Sequence, residues 1–354
     1  MYYKIFREYP DPVTETAWER FLPSSGFPSH YTSPAFFSEP FWTGKNPFAV
    51  LVFDREQEII AVATGISTGG QLVCGMYVRP QVVVSPDANN EGTAKVLFEG
   101  LRAARMSGES QITLYSCESI AGLIDVGFRE RLSEGEERSV IIDLGNGADA
   151  VFEGFSSSRR NNLRKAIKKT SLKICEMTKE EELMELYPIH VQWCKTKLIA
   201  PTNYDELKQA WQLKSNRKIL IAKHDGKVIA GSYFRFCPGG IVEYAGNNSN
   251  PEFLRDKPND LLMWEAIKWA CESGFRKFSM GGSHTFLQRF GGEITNTCRY
   301  QADLSRFQTN RIKDEAKDLL LGIYRTVPNN IRQKAKRYFG IGPRSINPDA
   351  TGNS

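Results

Sequence analysis

The stretch that decides the fold is IVEYAGNNSNPEFLRDKPNDLLMWEAIKWACESGFRKFSM, residues 241–280. Its apolar residues alternate in IVEYAGN, recur at helical spacing in DLLMWEAIKWACESG and return in RKFSM, which predicts a strand, a loop, a long helix and a second strand. The loop carries Arg255 and Lys257, and the helix starts near Asn259. Because α/β folds bind anionic ligands between a strand end and a helix N-terminus, we expect these three residues to bind an anionic cofactor.

The same order of strands and helices occurs twice along the chain of 354 residues. The two copies are separated by LGNGADA, residues 144–150, where glycines interrupt any periodicity directly after a strand. We therefore predict an α/β fold with mixed sheets in two related domains, residues 1–145 and 146–309, with ligands at their interface. Residues 310–340 are predicted to form amphipathic helices, and residues 341–354 a disordered tail.

A basic run, SSSRRNNLRKAIKK, opens the second half at residues 156–169 and contains six cationic side chains and no acid. In a helix, Leu163, Ala166 and Ile167 would share one face, which we expect to pack on the core. Arg159 falls inside this apolar stripe, where a charge is unstable without a partner. Arg159 therefore either precedes the first helical turn or meets an anion.

Three interpretations of the basic run stay open. Serine caps, free backbone N–H groups and arginine forks suit a phosphate-bearing small molecule. A solvated basic face without any ligand fits the same pattern. Nucleic acid is the third, although the run lacks aromatic residues for base stacking. The corresponding alternative function is a non-catalytic RNA- or phosphate-binding protein that uses residues 158–169.

The composition sets limits on localisation and chemistry. The net charge of +5 is modest, and no apolar stretch approaches the roughly 20 residues that span a bilayer. The N-terminus lacks the apolar core of a signal peptide, so a cytoplasmic protein is expected. Among four histidines and seven cysteines there is no H-E-x-x-H or C-x-x-C pattern, so no metal site is expected.

The order of motifs resembles a known family. The basic helix R-R-x-N-x-R-K-A, the strand end Y-x-G, the helix P-N-x-L-L-x-W-x-x-I-x-W-A-x-x-x-G and a closing F-G-G are similar to those of the Fem-type branch of the GNAT superfamily. This branch includes the FemAB aminoacyltransferases of peptidoglycan bridge synthesis and CelD-like acyltransferases associated with polysaccharides. The resemblance covers most of residues 30–305 and is clearer in the second half.

The resemblance implies two tandem GNAT-like domains and an acyltransferase of cell envelope or polysaccharide biosynthesis. The donor would be acyl-CoA or aminoacyl-tRNA, and the acceptor an amine on a nucleotide sugar, a polysaccharide or a peptidoglycan precursor, attacking directly. Partners would be a phosphorylated small molecule or envelope precursor and, with the second donor, tRNA; the net basic tail helices would allow peripheral contact with acidic lipid. Ser279 and Leu287 stand where members often carry Asp and Lys, which favours the CoA thioester.

Carried over by motif, the resemblance implies the following site residues. Tyr244 of Y-x-G would lie near the reacting centre, although a tyrosine at a strand end also serves as packing. His284 and Glu243 are further catalytic candidates, and Glu243 should face away from the side that Tyr244 faces. A plain helix-capping role is the alternative for His284. The candidate substrate contacts are Arg159, Arg160, Asn161, Arg164 and Arg289.

Overall fold

The computed structural model describes residues 1–42, 44–169, 171–310 and 312. They form two mixed β-sheets covered by helices, so the predicted α/β class is confirmed. Apart from residues 310 and 312, the predicted tail helices of 310–340 and the predicted disordered segment 341–354 lie outside the described residues.

The strands, in chain order, are β1 (Tyr2–Phe6), β2 (Asn46–Phe53), β3 (Ile59–Thr68), β4 (Gln71–Met76), β5 (Arg79–Pro80), β6 (Val82–Val84), β7 (Gln111–Ser116), β8 (Arg129–Leu132), β9 (Ser139–Asp143), β10 (Lys173–Glu176), β11 (Arg217–His224), β12 (Lys227–Phe236), β13 (Ile241–Ser249), β14 (Lys277–Ser279), β15 (Glu293–Thr295) and β16 (Cys298–Asp303). The first sheet has the order β1-β2-β3-β4-β7-β16-β8, with β5 on β4 and β6 on β3. The second has the order β10-β11-β12-β13-β14-β9-β15.

The helices are α1 (Pro12–Phe21), α2 (Glu91–Ala104), α3 (Gly147–Gly154), α4 (Ser157–Lys169), α5 (Glu180–Lys197), α6 (Tyr204–Gln212), α7 (Pro258–Glu272) and the short α8 (Thr285–Gln288). Single 3-10 turns join several of them. Of the helices that the structure describes, none is long and apolar enough to cross a membrane.

The two sheets exchange strands relative to the order of the chain. β9 lies before residue 145 but pairs with β14 and β15 in the second sheet. β16, near the end of the second half, pairs with β7 and β8 in the first sheet. Residue 145 therefore does not separate the two sheets. The domains 1–145 and 146–309 stay a prediction, in which each domain would contribute one strand to the sheet of the other.

The halves also share a hydrophobic core. Trp18 and Phe21 of α1 belong to the same buried cluster as Cys237 and Ile241 of the second half. The amide of Ile241 donates to the carbonyl of Pro28 at 2.9 Å. A Cβ on Gly240 would lie 2.3 Å from that carbonyl, so a side chain there would push the halves apart.

α3 begins at Gly147, inside the predicted boundary 144–150. One local prediction is wrong. Ile167 does not pack on the core with Leu163 and Ala166, since its side chain is 51% exposed. At 100° per residue, Arg159 and Ile167 lie on opposite sides of Leu163 around the α4 axis. The buried face of α4 is centred on the side of Arg159, so Ile167 points towards solvent.

Candidate active site

The second sheet opens between two parallel strands. β13 and β14 pair only at Ile241–Glu243 and Lys277–Ser279. Beyond Glu243, β13 continues to Ser249 and stays paired with β12 on its other side. Residues 244–249 therefore present a backbone edge that β14 does not cover, and such an edge can bind an extended ligand through its amide groups.

A β-bulge lies at the point where the two strands diverge. Tyr244 is opposite Phe234 and Gly246 is opposite Tyr233, so Ala245 is an extra residue that has no partner on β12. Gly281, which follows β14 with φ +63°, lies against the carbonyl of Tyr244, where a Cβ would come within 2.6 Å. The bulge and the glycine loop thus meet at the mouth of the opening.

The side chain of Tyr244 lies on the α7 side of the sheet. Its ring packs beside Phe234 against the hydrophobic core between the second sheet and α7, and its hydroxyl donates to Oδ1 of Asn247 at 2.7 Å. Burial raises the pKa of Tyr244 above its usual value, so the phenol stays protonated. A neutral phenol at this position can donate a proton to a leaving group.

The N-terminus of α7 lies at the far end of the uncovered edge. Lys257 adopts a left-handed conformation with φ +57°, and Pro258 starts the helix. The hydroxyl of Ser249, the last residue of β13, donates to Oδ1 of Asn259. The side chains of Arg255 and Lys257 are exposed and make no ion pair with the described residues. The three predicted cofactor contacts thus flank the N-terminus of α7.

Arg159 meets an anion inside the protein. Its guanidinium forms an ion pair with Asp260 in the first turn of α7 and donates to the carbonyl of Phe286 at 3.2 Å. It also stacks on the rings of Phe286 and Phe290, 4.5 and 4.3 Å from their centroids. Only 4% of Arg159 is exposed. Substrate binding by Arg159 would require this pair to open.

The other residues of the basic helix contact mainly α3. Arg160 donates to the carbonyls of Glu153 and Phe155, where α3 ends. Arg164 lies 3.4 Å from the carboxylate of Glu153 and is half exposed. Asn161 faces solvent. The arginines of the run thus fasten α4 to its neighbours.

Glu243 faces away from Tyr244, as alternation along a strand requires. Its carboxyl lies opposite Arg235 of β12 and accepts the backbone N–H of His30 from the first half. Burial raises the pKa of Glu243, although Arg235, Arg79 and other guanidiniums oppose that shift. Oε2 of Glu243 has no hydrogen-bond partner among the described residues.

The remaining candidates lie around α8. His284 is exposed and precedes α8 without capping it through its side chain. The side chain of Arg289 is exposed, while its carbonyl accepts the amide of Ser156 at 3.1 Å. Within the described ranges, no group of three or more His, Cys, Asp or Glu could hold a metal ion.

Sequence reasoning missed three residues of this site. Asn247 orients the Tyr244 hydroxyl, Asp260 neutralises Arg159, and Gly281 permits the close approach to β13. The only signal for Asp260 was the unmatched charge of Arg159 in an apolar stripe. No sequence pattern indicated the other two contacts.

A family model matches the part of the chain that surrounds this opening. Residues 157–290, which include α4, β13, α7, β14 and α8, match the family model of the acetyltransferase (GNAT) domain. This stretch is similar to a GNAT acetyltransferase domain. The predicted class of enzyme, an acyltransferase with a GNAT fold, is thereby confirmed.

Solved structures with a similar fold align with both halves of the chain. FemX has a TM-score of 0.66 at 11% identity, covering 85% of this chain and 97% of its own. L-PGS from Bacillus licheniformis has a TM-score of 0.54 at 16% identity, covering 86% and 96%. A tandem GNAT protein from the clavulanic acid biosynthesis pathway has a TM-score of 0.51 at 14% identity, covering 86% and 99%. No curated protein sequence matches the chain.

Proposed function

We propose that the protein transfers an acyl group from acyl-CoA to an amine of a phosphorylated envelope or sugar precursor. The observation that carries the proposal is the divergence of β13 and β14 directly after Glu243 and Ser279, beside the bulge at Ala245. The divergence leaves a backbone edge next to the half-buried Tyr244, within the stretch that matches the GNAT domain. An extended thioester arm fits such an edge through amide hydrogen bonds.

The donor's phosphates would lie at the N-terminus of α7. The helix dipole favours an anion there, and Arg255 and Lys257 add positive charge. The guanidinium of Arg159 neutralises the carboxylate of Asp260, the one buried acid in the first turn of α7. This carboxylate therefore does not repel an anion at the helix N-terminus. The N-terminus thus stays suited to a phosphate.

The transfer needs no covalent intermediate on the protein. The neutral amine attacks the thioester carbonyl, the C–N bond forms, the C–S bond breaks, and the thiolate takes a proton. The phenol of Tyr244, held by Asn247 at 2.7 Å, is the group that would supply this proton. Backbone N–H groups at the bulge would stabilise the oxyanion.

Two of the predicted residues could accept the proton from the amine. His284 is exposed beside the glycine loop, where an acceptor can reach it. The carboxyl of Glu243 is enclosed by Arg235 and the backbone of His30. We propose His284 as the base, because a base has to contact the acceptor amine.

The contacts of α4 disfavour the rival function of RNA binding by residues 158–169. Arg159 and Arg160 are held by protein groups, and Arg164 lies beside Glu153. Backbone phosphates of RNA would have to compete with these contacts. Aminoacyl-tRNA as the donor stays the second candidate, because FemX shares the fold.

The test is mass spectrometry of reactions that combine a panel of acyl-CoA esters with amino-sugar and peptide amines. We expect a mass increase of the acceptor equal to the acyl group, with release of free CoA. Transfer that is also lost in Tyr244→Phe would assign it to this cleft. No transfer from any CoA ester, together with tight binding of charged tRNA, would overturn the CoA donor.

A further inference from the structure

The two sheets repeat the same plan of strands. In each sheet three antiparallel pairs are followed by one parallel pair and then by two further antiparallel pairs. The parallel pair is β4 with β7 in the first sheet and β13 with β14 in the second. In both halves a helix, α2 or α7, lies between the two parallel strands along the chain. The first half therefore contains a counterpart of the opening that we assign to the acyl donor.

The strand that borders this counterpart is split in two. β13 runs along β12 as one strand, interrupted by the bulge at Ala245. In the first half, β4 pairs with β3 as far as Val73, and β6 resumes the pairing with β3 at Val82. β4 and β6 together thus take the place of β13, and residues 74–81, here called the inserted segment, take the place of the bulge.

The inserted segment folds back into the gap between β3 and β7. It contains β5, which pairs with the end of β4. The amide of Gln81 donates to the carbonyl of Tyr115 in β7 at 3.0 Å, and the carbonyl of Gln81 accepts the amide of Thr64 in β3 at 3.1 Å. A Cβ on Gly75, whose φ is +92°, would lie 2.6 Å from the carbonyl of Arg79. The inserted segment therefore bridges β3 and β7 with its own backbone groups and is closely packed.

Little space remains where the strands of the first half diverge. A cavity of about 10 Å³ lies between β6 and the residues that follow β7, and its lining includes Phe27, Val83, Ser116 and Glu118. A cavity of about this volume holds one water molecule at most. A Cβ on Gly26 would overlap the carboxylate of Glu118, so these two residues also pack closely. A thioester arm does not fit into this space.

The helix that follows the closed opening is also less suited to the phosphates of a donor. Asn90 caps α2 by accepting the amide of Thr93 at 3.1 Å, so this N–H group is already paired. Lys257, the corresponding residue before α7, makes no such bond through its side chain. The loop before α2 contains Asp87 and neither lysine nor arginine, unlike the loop before α7. An anion is therefore favoured less at α2 than at α7.

A wide groove beside the start of α2 has the wrong charge for a nucleotide. Its volume is about 560 Å³, and the charged side chains that line it are Asp54, Glu58, Asp87 and Arg20. Arg20 forms an ion pair with Glu58 at 2.6 Å. Because carboxylates outnumber guanidiniums in this groove, its electrostatic potential disfavours the phosphates of a donor.

We propose that the inserted segment occupies, in the first half, the position that the donor's thioester arm takes in the second half, so that one chain binds one donor molecule. The backbone groups of Gln81 already bridge the gap, and Asn90 already caps the helix. The first half is thus a closed copy of the donor site. That the open copy binds acyl-CoA rests on the proposed function; the closure of the first half does not.

The test combines native mass spectrometry of the full chain with CoA and hydrogen–deuterium exchange. We expect one CoA per chain, and we expect CoA to protect residues 244–249 from exchange and to leave residues 79–84 unchanged. In the chain without CoA, residues 79–84 should exchange at least about tenfold more slowly than the exposed turn 55–57, because their amides belong to the folded sheet.

Gly75→Ala tests the packing of the inserted segment. Its Cβ would collide with the carbonyl of Arg79, so we expect exchange of residues 79–84 to become about tenfold faster or more. Gly69→Ala is the matched control, because Gly69 also has a positive φ, +57°, but no atom lies within 4 Å of the position of its Cβ. Gly69→Ala should leave exchange of residues 79–84 unchanged.

Four outcomes would overturn the proposal. Two CoA molecules per chain, or protection of residues 79–84 by CoA, would do so and leave acyl transfer intact. Exchange of residues 79–84 as fast as that of the turn 55–57, or equal exchange in Gly75→Ala and Gly69→Ala, would show that the inserted segment does not close the gap. A chain that binds no CoA would refute the proposed donor instead, and exchange of residues 79–84 would still decide whether the first half is closed.

Discussion

Asp260 forms a buried ion pair with Arg159, joining the first turns of α7 and α4, and their side chains are only 8% and 5% exposed. The pair explains why a cation lies in the apolar stripe of α4. It also fixes the helix N-terminus that we assign to the donor's phosphates. A buried pair of this kind is stable only while both partners are present.

Asp260→Asn should therefore lower the free energy of unfolding by about 3–5 kcal/mol, because it leaves the guanidinium of Arg159 buried without a counter-charge. Urea denaturation followed by circular dichroism measures this loss. Glu153→Gln is the control, since Glu153 pairs with exposed Arg164 and should change stability by about 0.5 kcal/mol or less. Similar losses of stability in both variants would show that the buried ion pair stabilises the protein no more than the exposed one.

Tyr244→Phe should lower kcat by about a hundredfold or more, since it removes the proton donor for the leaving thiolate. The KM for the acyl donor should change by less than about threefold, because the ring and the backbone edge remain. Steady-state release of free CoA measures both constants. Tyr2→Phe is the control, on a half-exposed side chain in β1. An unchanged kcat would assign Tyr244 to packing.

The double substitution Arg255→Gln and Lys257→Gln should weaken CoA binding about five- to tenfold at low salt, because both cations are exposed and act through screened charge. Pantetheine, which lacks the nucleotide phosphates, should bind both proteins alike. Lys227→Gln is the matched control, on an exposed lysine at the start of β12. An equal loss of CoA and pantetheine affinity would point to a distorted loop instead.

The buried histidines predict how stability depends on pH. Burial lowers the pKa of His30 and of His190 below the ordinary value of 6.5, so each binds fewer protons when folded than when unfolded. Their contribution to stability is present above pH 6.5 and is lost as the pH falls, at up to about 1.4 kcal/mol per pH unit for each. Urea denaturation between pH 5 and pH 8, spanning roughly the titration of histidine, measures the slope.

His190→Gln should remove part of that slope, because it removes one of the two proton acceptors. His190 donates through Nδ1 to Asn248 and accepts the amide of Thr202 at Nε2, and a glutamine amide can do both. His224→Gln, on a histidine at the end of β11, is the control. A slope identical to that of the wild type would show that His190 already titrates normally when folded.

The elements that depend on a local pattern of residues were predictable from the sequence. The helix predicted over 260–274 is α7, and the strands on either side are β13 and β14. The opening between those strands was not predictable, because it depends on where their pairing stops. Register is a non-local property, and a strand's own alternation does not encode its neighbour. The exchange of β9 and β16 between the two sheets was not predictable for the same reason.

The site was predictable only in part. The phase of α4 showed that Arg159 needs an anion, but the partner, Asp260, is about a hundred residues further along the chain. Alternation placed Tyr244 and Glu243 on opposite faces, as the structure has them.

The exchanged strands also determine when this protein can fold during its synthesis. β16 lies between β7 and β8, so a gap remains in the first sheet until the ribosome has added residue 303. Meanwhile β9, although made early, has no neighbours until β14 and β15 emerge. The nascent first half leaves the ribosome with unpaired strand edges, which invite pairing with other chains. Translation of nearly the whole chain must therefore precede closure of either half.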